Sequence, residues 1–409
     1  MVDGGRAGRI LGALGTEPYP RDPYPLYREL RGLSPVVEGE LGMSYATTFQ
    51  ACATVFRSPS FGQGEGARRV RLDPRFEKSA TLQTLAHMIT YIDPPDHTRL
   101  RRLVSRAFTP RTVQQIRPFV QDLVDSLLDP VERAGGGDLV ADFANQIPVR
   151  VVSHLLGVPL ADHDAFQAWS DDVARIVEPV VTEEDLAKAD AATVSYHAYF
   201  EELLAERTRQ PGDDLLSALI AAKDEGDRLS AEELVSMAVE LIGAGSETTR
   251  NLIGDGIFTL LRHPGELAKL RSEARAIAGA VEEQLRFEPP IQTAVPRFAL
   301  RDVEVDGVTV PEGTMVSAII GSANRDPARF EDPDAFRIDR VDCQGLTFAP
   351  GIHYCLGAAV ARLEGEVAID TVVRRFPTLS LVEDEPPMRR GSLLGQMARG
   401  PASLPVALR

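Results

Sequence analysis

The sequence feature that most restricts the fold is a stretch between Ser230 and Arg262 that predicts one very long helix. Ser230, followed three residues later by Glu233, forms a capping box and marks the start. His263-Pro264 marks the end, because proline disfavours helical backbone in the residue before it. The 32 residues of Ala231–Arg262 would span about 48 Å at 1.5 Å per residue. We therefore expect a large, mainly helical molecule that this helix crosses.

The centre of the long helix is unusual in composition. The run Gly243-Ala244-Gly245-Ser246-Glu247-Thr248-Thr249 contains two glycines and three hydroxyl side chains, where helix formers such as leucine would be expected. Hydroxyl groups in a helix can bond the carbonyls of the preceding turn and bend it, which is the structural alternative. A functional constraint is the other reading, and the two are compatible.

The rest of the chain supports a helical fold with little β-structure. Apolar residues recur at helical spacing from Arg99 to Leu285, and a last helix is expected near Ala358–Phe376. Short hairpins are predicted at 34–46 and at 303–310, the latter about Asp306-Gly307. Prolines between 311 and 350 indicate a long ordered irregular segment. Without a linker we expect one domain over residues 1–409, with disorder considered only for an end such as 1–16.

Composition excludes several classes of function. The 44 basic and 60 acidic side chains give a net charge of −16, which argues against nucleic acid as a partner. Three cysteines are too few for a disulfide framework and favour a reducing compartment. Residues 1–16 lack the pattern of a secretory signal, and no run of 18 apolar residues predicts a membrane span. We expect a cytoplasmic protein without a membrane partner.

One cysteine stands where its thiol could be reactive. Cys355 lies in Phe348-Ala349-Pro350-Gly351-Ile352-His353-Tyr354-Cys355-Leu356-Gly357, directly before the last predicted helix. A helix N-terminus stabilises a thiolate, and glycine lets backbone amides approach the sulfur. A thiolate of this kind can ligate haem iron. For a lone cysteine the alternative is a buried inert thiol, which we expect for Cys52 and Cys343.

This segment resembles the haem-binding signature of the cytochrome P450 family, with Phe348, Gly351, His353, Cys355 and Gly357 at matching positions. Ala349 departs from it, because a glycine or another small polar residue is usual there. The resemblance implies the mainly α P450 fold with small β-sheets. It also implies haem b (iron protoporphyrin IX) as cofactor, with Cys355 as the axial ligand of the iron and Phe348 and Gly357 beside it.

Further motifs of the family occur in the expected order. Glu283 and Arg286 match its Glu-x-x-Arg pair, and Arg340 resembles the third member of its buried structural network. The resemblance assigns haem-propionate binding to His97, Arg101, Arg297 and His353. His97 and Arg101 are four residues apart and can share one helix face. An exposed salt bridge or a solvated surface role is the alternative for each of these residues.

The glycine-rich helix centre also matches the family. Glu247-Thr248 resembles its acid-alcohol pair, which implies catalytic proton delivery on the distal face of the haem. Gly245 is expected to permit close approach and a local widening of the helix, with Ala244 beside the cofactor. The positions that match substrate contacts are mostly small or apolar, and they favour a bulky apolar substrate: Gly243, Ala244, Thr293, Val295 and Leu394.

The resemblance implies a monooxygenase that inserts one oxygen atom of O2, by hydroxylation or epoxidation, in the synthesis of a polyketide, macrolide or terpenoid. Electrons would come from NAD(P)H through a ferredoxin reductase and a small acidic ferredoxin. Six arginines and no acidic residue lie between His97 and Val120, and part of this basic stretch is expected to face that ferredoxin. The alternative is that individual arginines only solvate a helix. We expect a monomer. The alternatives are a haem-thiolate peroxygenase, a catalyst of oxidative coupling or rearrangement, or a non-catalytic haem-binding protein.

Overall fold

The computed structural model describes residues 4–15, 22–39, 42–174, 181–223, 227–382, 389–390 and 397–408. The chain divides into two compact units. Unit 1 comprises Met1–Gly62, Gln121–Asn145 and Thr248–Arg409, and unit 2 comprises Gln63–Val120 and Gln146–Glu247.

Helices make up most of the described chain. They are α1 (Gly4–Gly15), α2 (Tyr24–Leu33), α3 (Phe49–Arg57), α4 (Gly64–Arg71), α5 (Ala80–Leu85), α6 (Asp96–Ala107), α7 (Pro110–Gln115), α8 (Arg117–Ala134), α9 (Ile147–Leu155), α10 (His163–Ala174), α11 (Glu183–Arg209), α12 (Leu215–Ala221), α13 (Ala231–Arg262), α14 (Pro264–Ser272), α15 (Ile277–Phe287), α16 (Ile320–Ala323) and α17 (Ala358–Arg375).

The predicted long helix is confirmed as α13, with both of its predicted ends. The Glu233 amide donates to Ser230 Oγ at 3.1 Å, and the Ser230 amide donates to Glu233 Oε2 at 2.8 Å, which forms the reciprocal capping box. His263 follows the helix, and Pro264 begins α14. In the part of the chain that the structure describes, no helix is long and apolar enough to span a membrane.

The strands are short and, apart from one parallel pair, antiparallel. They are β1 (Val36–Glu38), β2 (Met43–Ala46), β3 (Phe61–Gly62), β4 (Gly136–Asp138), β5 (Ile291–Thr293), β6 (Arg297–Ala299), β7 (Val303–Val305), β8 (Val308–Val310), β9 (Met315–Ala318), β10 (Leu379–Leu381), β11 (Arg389–Arg390), β12 (Met397–Ala398), β13 (Gly400–Pro401) and β14 (Pro405–Leu408). The larger sheets have the orders β1-β2-β9-β6-β3 and β10-β14-β4. Strands β2 and β9 are the parallel pair.

Both predicted hairpins are confirmed. Strands β7 and β8 pair about Asp306 and Gly307, whose φ angles of 51° and 80° suit the tight turn. The prediction of an irregular segment over 311–350 is wrong at its start, because β9 and α16 lie there. Proline and glycine around so short a strand hid its pattern. The stretch from Asn324 to Gly357 contains no named helix or strand.

The five-stranded sheet of unit 1 is covered on both faces. Successive side chains of a strand point to opposite faces, and here the apolar ones are buried on both sides. Val36 and Val316 face a cluster that includes Phe56 of α3. Val37 and Tyr45 face α1 and α2 on the other side. This packing fixes the C-terminal end of α3, where the Phe56 carbonyl takes part in the candidate site described below.

Unit 2 packs its helices through an aromatic cluster and a polar seam. Phe166 and Trp169 of α10 contact Tyr196 and Phe200 of α11. Short α5 meets α11 through hydroxyl and acid groups, for example Thr81 Oγ1 with Thr193 Oγ1 at 3.0 Å. The unit also contains the N-terminal half of α13.

Candidate functional site

Cys355 lies in the ligand loop, a tight loop over residues 348–357 that ends on the N-terminus of α17. The Cys355 amide donates to the Phe348 carbonyl at 3.0 Å, which closes the loop. Gly357 is the N-cap residue, and a Cβ built on it would lie 4.0 Å from Cys355 Sγ. The exposed thiol therefore sits at the positive end of an 18-residue helix. Ala349 has a φ of 48°, in the region that favours glycine.

Gly351 and Arg297 meet at the same carbonyl group. Gly351 has a φ of 112°, and a Cβ there would lie 2.4 Å from the Phe56 oxygen. That oxygen also accepts a hydrogen bond from Arg297 Nη1 at 3.0 Å. Arg297, at the start of β6, is 3% exposed. The absence of a side chain at Gly351 thus lets the ligand loop approach the end of α3 and a buried guanidinium.

Glu283 is the centre of a buried ionic network in unit 1. Its carboxylate accepts from Arg286 Nε at 2.7 Å and Nη2 at 2.8 Å, in a bidentate pair whose side chains are both 0% exposed. Arg340 Nε reaches the same carboxylate at 3.1 Å. The two arginines also donate to carbonyls between residues 331 and 335. Arg286 and Arg340 therefore both contact Glu283, as predicted for these three residues. The Glu283–Arg286 pair is buried, so the alternative of an exposed salt bridge is wrong for it.

This network is connected to the ligand loop through Asn324, which the sequence reading missed. Arg286 Nη1 donates to the Asn324 carbonyl at 3.0 Å. The Asn324 side chain accepts from the Leu346 amide at 2.7 Å and donates to Thr347 Oγ1 at 3.0 Å. Thr347 directly precedes Phe348. No sequence pattern pointed to Asn324, because its partners are far along the chain.

A second ion pair supports the loop from α17. Arg362 pairs with Glu282 of α15 and donates to the Tyr354 hydroxyl at 3.2 Å. Its guanidinium carbon lies 4.4 Å from the centre of the Phe348 ring. His353, between Tyr354 and Ile352, is half-buried. Unit 1 therefore brings together Cys355, Phe348, Gly357 and His353 in the loop, with Arg297 nearby through Phe56.

Unit 2 carries the other predicted propionate donors on α6. His97 is 2% exposed, and its amide donates to the Asp93 carbonyl at 3.0 Å in the first turn. Arg101, four residues later, is half-buried. Four arginines of the predicted basic stretch are exposed: Arg102, Arg106, Arg111 and Arg117. Arg99 instead pairs with Glu233 and lies 3.5 Å from Asp227.

The centre of α13 is regular. The helix is continuous over Ala231–Arg262, so the local widening expected at Gly245 is not seen. A Cβ on Gly245 would lie 3.3 Å from Val152 Cγ2, and glycine thus allows close packing of α9. Gly243 and Ala244 are exposed, and Glu247 and Thr248 are half-buried. Ser246 Oγ lies 3.0 Å from Ser170 Oγ of α10.

The remaining predicted substrate contacts differ in exposure. Val295 is partly exposed. Thr293 is fully buried, in strand β5, which pairs with β12 and bridges Ile319. Its side chain therefore has no exposed surface for contact with a substrate in this structure. Leu394 lies outside the described residues.

The other two cysteines are poor candidates for a ligand. Cys52 is fully buried among apolar residues of α3, and burial raises the pKa of its thiol far above the usual range. Cys343 is half-buried, and burial together with the Coulomb effect of Glu282 and Glu283 raises its pKa. Both thiols are held in the neutral form, whereas metal ligation needs the thiolate.

Two buried acids, Glu240 and Glu364, belong to no motif in the sequence. Glu240 of α13 is buried and accepts hydrogen bonds from Ile89 and Thr90. Burial raises its pKa, although those donors act in the opposite direction. Glu364 of α17 is 1% exposed, and burial raises its pKa to about 8. The sequence signal that could have predicted their burial is an acidic residue on the apolar face of a helix.

The donor set of the described residues fits a haem. A thiol at a helix N-terminus suits the iron, and a neighbouring aromatic ring at Phe348 suits the flat apolar macrocycle. Two propionates require basic partners, because a buried carboxylate without one is costly. His97, Arg101, Arg297 and His353 have the right chemistry for that task.

Comparisons with known proteins agree with this reading. The family model described as "Cytochrome P450" matches residues 63–402. The chain is 40% identical to cytochrome P450 monooxygenase PikC of Streptomyces venezuelae, over 98% of this chain and 94% of that protein. It is 43% identical to mycinamicin IV hydroxylase/epoxidase of Micromonospora griseorubida, over 77% of this chain and 78% of that protein. The crystal structure of CalO2 matches with a TM-score of 0.88 and 34% identity, covering 95% and 96% of the two chains.

The family has a haem-thiolate cofactor and uses dioxygen, redox partners and apolar substrates. The mainly helical fold with small sheets, which the ligand-loop resemblance predicted, is confirmed. By the extent of the family match and of the similarity to its members, the chain belongs to the cytochrome P450 family and is a P450 monooxygenase.

Proposed function

We propose that this monooxygenase hydroxylates or epoxidises a bulky, apolar polyketide or macrolide during the synthesis of a secondary metabolite. The observation that carries the oxidative chemistry of the proposal is the exposed thiol of Cys355 at the N-terminus of α17, held in a loop bonded to the Glu283 network. The names of the relatives, a mycinamicin hydroxylase/epoxidase among them, support the substrate class. A terpenoid fits the same apolar chemistry.

The cofactor we propose is haem b. Cys355 would bind the iron, and Phe348, Gly357 and Ala244 would contact the macrocycle. His97, Arg101, Arg297 and His353 would bind the propionates. When bound, the haem supplies dioxygen activation and oxygen transfer. Glu283, Arg286 and Arg340 act in this proposal through the ligand loop and have no part in the chemistry.

Proton delivery is assigned to Thr248 and Glu247. The Thr248 hydroxyl can donate a proton and take one back, and Glu247 is half-buried and can exchange protons with water. Oxygen insertion consumes two protons and two electrons for each product and water formed. Gly243, Ala244 and Val295 would contact the substrate. Thr293 and Leu394 remain predictions from the family match. Thr293 is fully buried in this structure and would have to become accessible when the substrate binds.

The electron donor we propose is a small acidic ferredoxin, reduced by a ferredoxin reductase with NAD(P)H. Four exposed arginines between 102 and 117 supply complementary charge on a chain whose net charge is −16. We also propose that the chain is a single-domain monomer in the cytoplasm, where its three cysteines would stay reduced.

The ligand assignment is tested by the absorption spectrum of the reduced carbon monoxide complex. The wild-type protein should show the red-shifted band of thiolate ligation, and Cys355→Ala and Cys355→His should lose it. Cys343→Ser is the matched control and should keep the band, because its thiol lies outside the ligand loop. A normal band in Cys355→Ala would refute the assignment.

The relay assignment is tested by coupling of oxygen consumption to product. Thr248→Ala should consume NAD(P)H and oxygen while product formation falls about 100-fold or more, as is typical of a lost general acid. Thr248→Ser should restore most of the coupling. Peroxide-driven turnover that Thr248→Ala does not reduce would favour a peroxygenase. Ligands that shift the haem spectrum without ever being oxidised would favour a haem-binding protein.

A further inference from the structure

The loop before α6 is attached to α13 by one carboxylate. Glu240 Oε2 accepts from the Ile89 amide at 2.8 Å. Glu240 Oε1 accepts from the Thr90 amide at 3.2 Å and from Thr90 Oγ1 at 2.5 Å. The three donors come from a single short 3-10 turn, Ile89–Tyr91, and the carboxylate is 8% exposed.

The same loop lines a cavity within unit 2. The cavity has a volume of about 470 Å³. Ile89, Tyr91, Ile92 and Asp93 of the loop contribute to its lining, and so do Ser236, Met237 and Glu240 of α13. Glu240 therefore joins two of the elements that enclose this space. Gly243 and Ala244, which are exposed, follow one turn later on α13.

A second carboxylate fixes the far end of the loop. Asp93 accepts from the Gln63 amide at 2.7 Å and from the Gly64 amide at 2.8 Å, at the start of α4. Between these two anchors the loop has the backbone bonds of a single 3-10 turn, including Tyr91 N to Met88 O at 2.9 Å. Segments with so few internal bonds open locally at low cost, and side-chain anchors set that cost.

The chemistry of the anchor suits a loop that can open. Apolar contact alone would leave the Ile89 and Thr90 amides without an acceptor, whereas the Glu240 carboxylate accepts from both amides and from the Thr90 hydroxyl, at the cost of its own desolvation. A carboxylate differs in that it can exchange its amide partners for water when the loop moves. The anchor therefore holds the loop closed and still lets it open.

We propose that Glu240 is a positioning residue for substrate binding, which keeps the Ile89–Asp93 loop closed as a wall of this cavity. The proposal rests on the proposed function in taking the cavity as part of the substrate pocket. The loop opens when the Ile89 and Thr90 amides leave the carboxylate, and it closes on the bound substrate when they return. Glu240 is not a catalytic residue in this scheme.

The first test is hydrogen exchange of the haem-loaded protein, followed at residues 86–93. Glu240→Gln places an amide NH2 group among three donors, so exchange at Ile89 and Thr90 should accelerate about tenfold or more. Thr90→Val should have a smaller effect, because it removes one of the three donors. Glu232→Gln is the matched control, since this exposed residue lines the same cavity at the start of α13 and lies beside His87.

The second test compares two azoles that coordinate haem iron. Econazole fills the pocket beyond the iron, whereas imidazole occupies only the space next to it. Glu240→Gln should raise the Kd of econazole about tenfold and leave the Kd of imidazole unchanged. Thr90→Val combined with Glu240→Gln should bind econazole no more weakly than Glu240→Gln alone, because the two residues act through one contact.

Three results would overturn the proposal. Exchange of residues 86–93 that Glu240→Gln does not change would show that the carboxylate does not hold the loop. Faster exchange with unchanged econazole affinity would show that the loop has no role in binding. Equal weakening of both azoles would assign Glu240 to the haem site itself. The absence of the thiolate band from the wild-type protein would instead contradict the proposed function, and it is measured independently of these results.

Discussion

At the scale of single residues, Gly351 is the position in the ligand loop least able to carry a side chain. Its φ of 112° is rarely adopted by other residues, and a Cβ would lie 2.4 Å from the Phe56 oxygen. That oxygen belongs to the backbone and already binds Arg297, so it cannot move away alone. Both strain and overlap therefore oppose any substitution.

Gly351→Ala should lower the free energy of unfolding by about 3 kcal/mol, from combined backbone strain and overpacking. The reduced carbon monoxide band should weaken in parallel as the loop loses its geometry. Urea unfolding and the band intensity measure the two effects. Gly32→Ala is the control, because a Cβ there meets nothing within 4 Å. A Gly351→Ala protein as stable as that control would contradict the described loop.

The buried acid Glu364 makes a pH-dependent contribution to stability. Its Oε2 has no hydrogen-bond partner among the described residues, and burial raises its pKa from 4.5 to about 8. The folded state thus binds this proton more tightly than the unfolded state. The stabilising effect of the bound proton is complete below about pH 4.5 and is lost as the pH rises towards 8.

Glu364→Gln imitates the protonated acid and should remove this dependence. Between pH 5.5 and 7.5 the stability of the variant relative to wild type should rise by up to about 1.4 kcal/mol per pH unit. Urea unfolding at both pH values measures it. A constant difference between the two proteins would mean that Glu364 is ionised throughout this range.

At the scale of elements, the Glu283 network ties α15 to the irregular stretch that leads into α17. Two guanidinium groups share one fully buried carboxylate. Removal of one member of a buried ion pair leaves an uncompensated charge, which is more damaging than replacement of the whole pair by apolar groups.

Glu283→Gln should therefore lower the free energy of unfolding by about 3–5 kcal/mol and reduce the yield of haem-loaded protein. Glu282→Gln is a control on the preceding residue of the same helix. Its pair with Arg362 is about 30% exposed, so the loss should stay within about 1 kcal/mol. Denaturant unfolding of the two variants makes the comparison, and equal losses would refute the special role of Glu283.

Elements with a periodic or capped sequence were predictable. Helix α13, its capping box, the Asp306-Gly307 hairpin and the start of α17 follow from local rules that need no partner. Strand β9 and the contacts of Asn324 could not be predicted, since both depend on residues far along the chain. The same holds for Glu240, whose partners lie about 150 positions earlier.

At the scale of the whole molecule, charge is distributed unevenly. The chain has a net charge of −16, yet Arg102, Arg106, Arg111 and Arg117 are exposed within a stretch that has no acidic residue. Opposite charges on two proteins accelerate their encounter at low salt, and salt screens the effect.

Arg102→Glu combined with Arg111→Glu should slow reduction by a ferredoxin several-fold at low ionic strength. The difference should nearly vanish at about 0.5 M salt, where the screening length is only a few Å. Stopped-flow reduction of the haem measures these rates. Arg209→Glu, an exposed arginine of α11, should have little effect, and a loss as large as that of the double variant would point to bulk charge alone.

The absence of a named helix or strand between Asn324 and Gly357 has a consequence for the order of assembly. Without a ladder of its own, this stretch is held by side chains of other elements, with Arg286 reaching its carbonyls and Asn324 holding Leu346 and Thr347. It can therefore become rigid only after α15 has found its place. During synthesis, the cysteine that defines the enzyme should be among the last positions to acquire its final geometry, and cofactor capture should mark the end of folding.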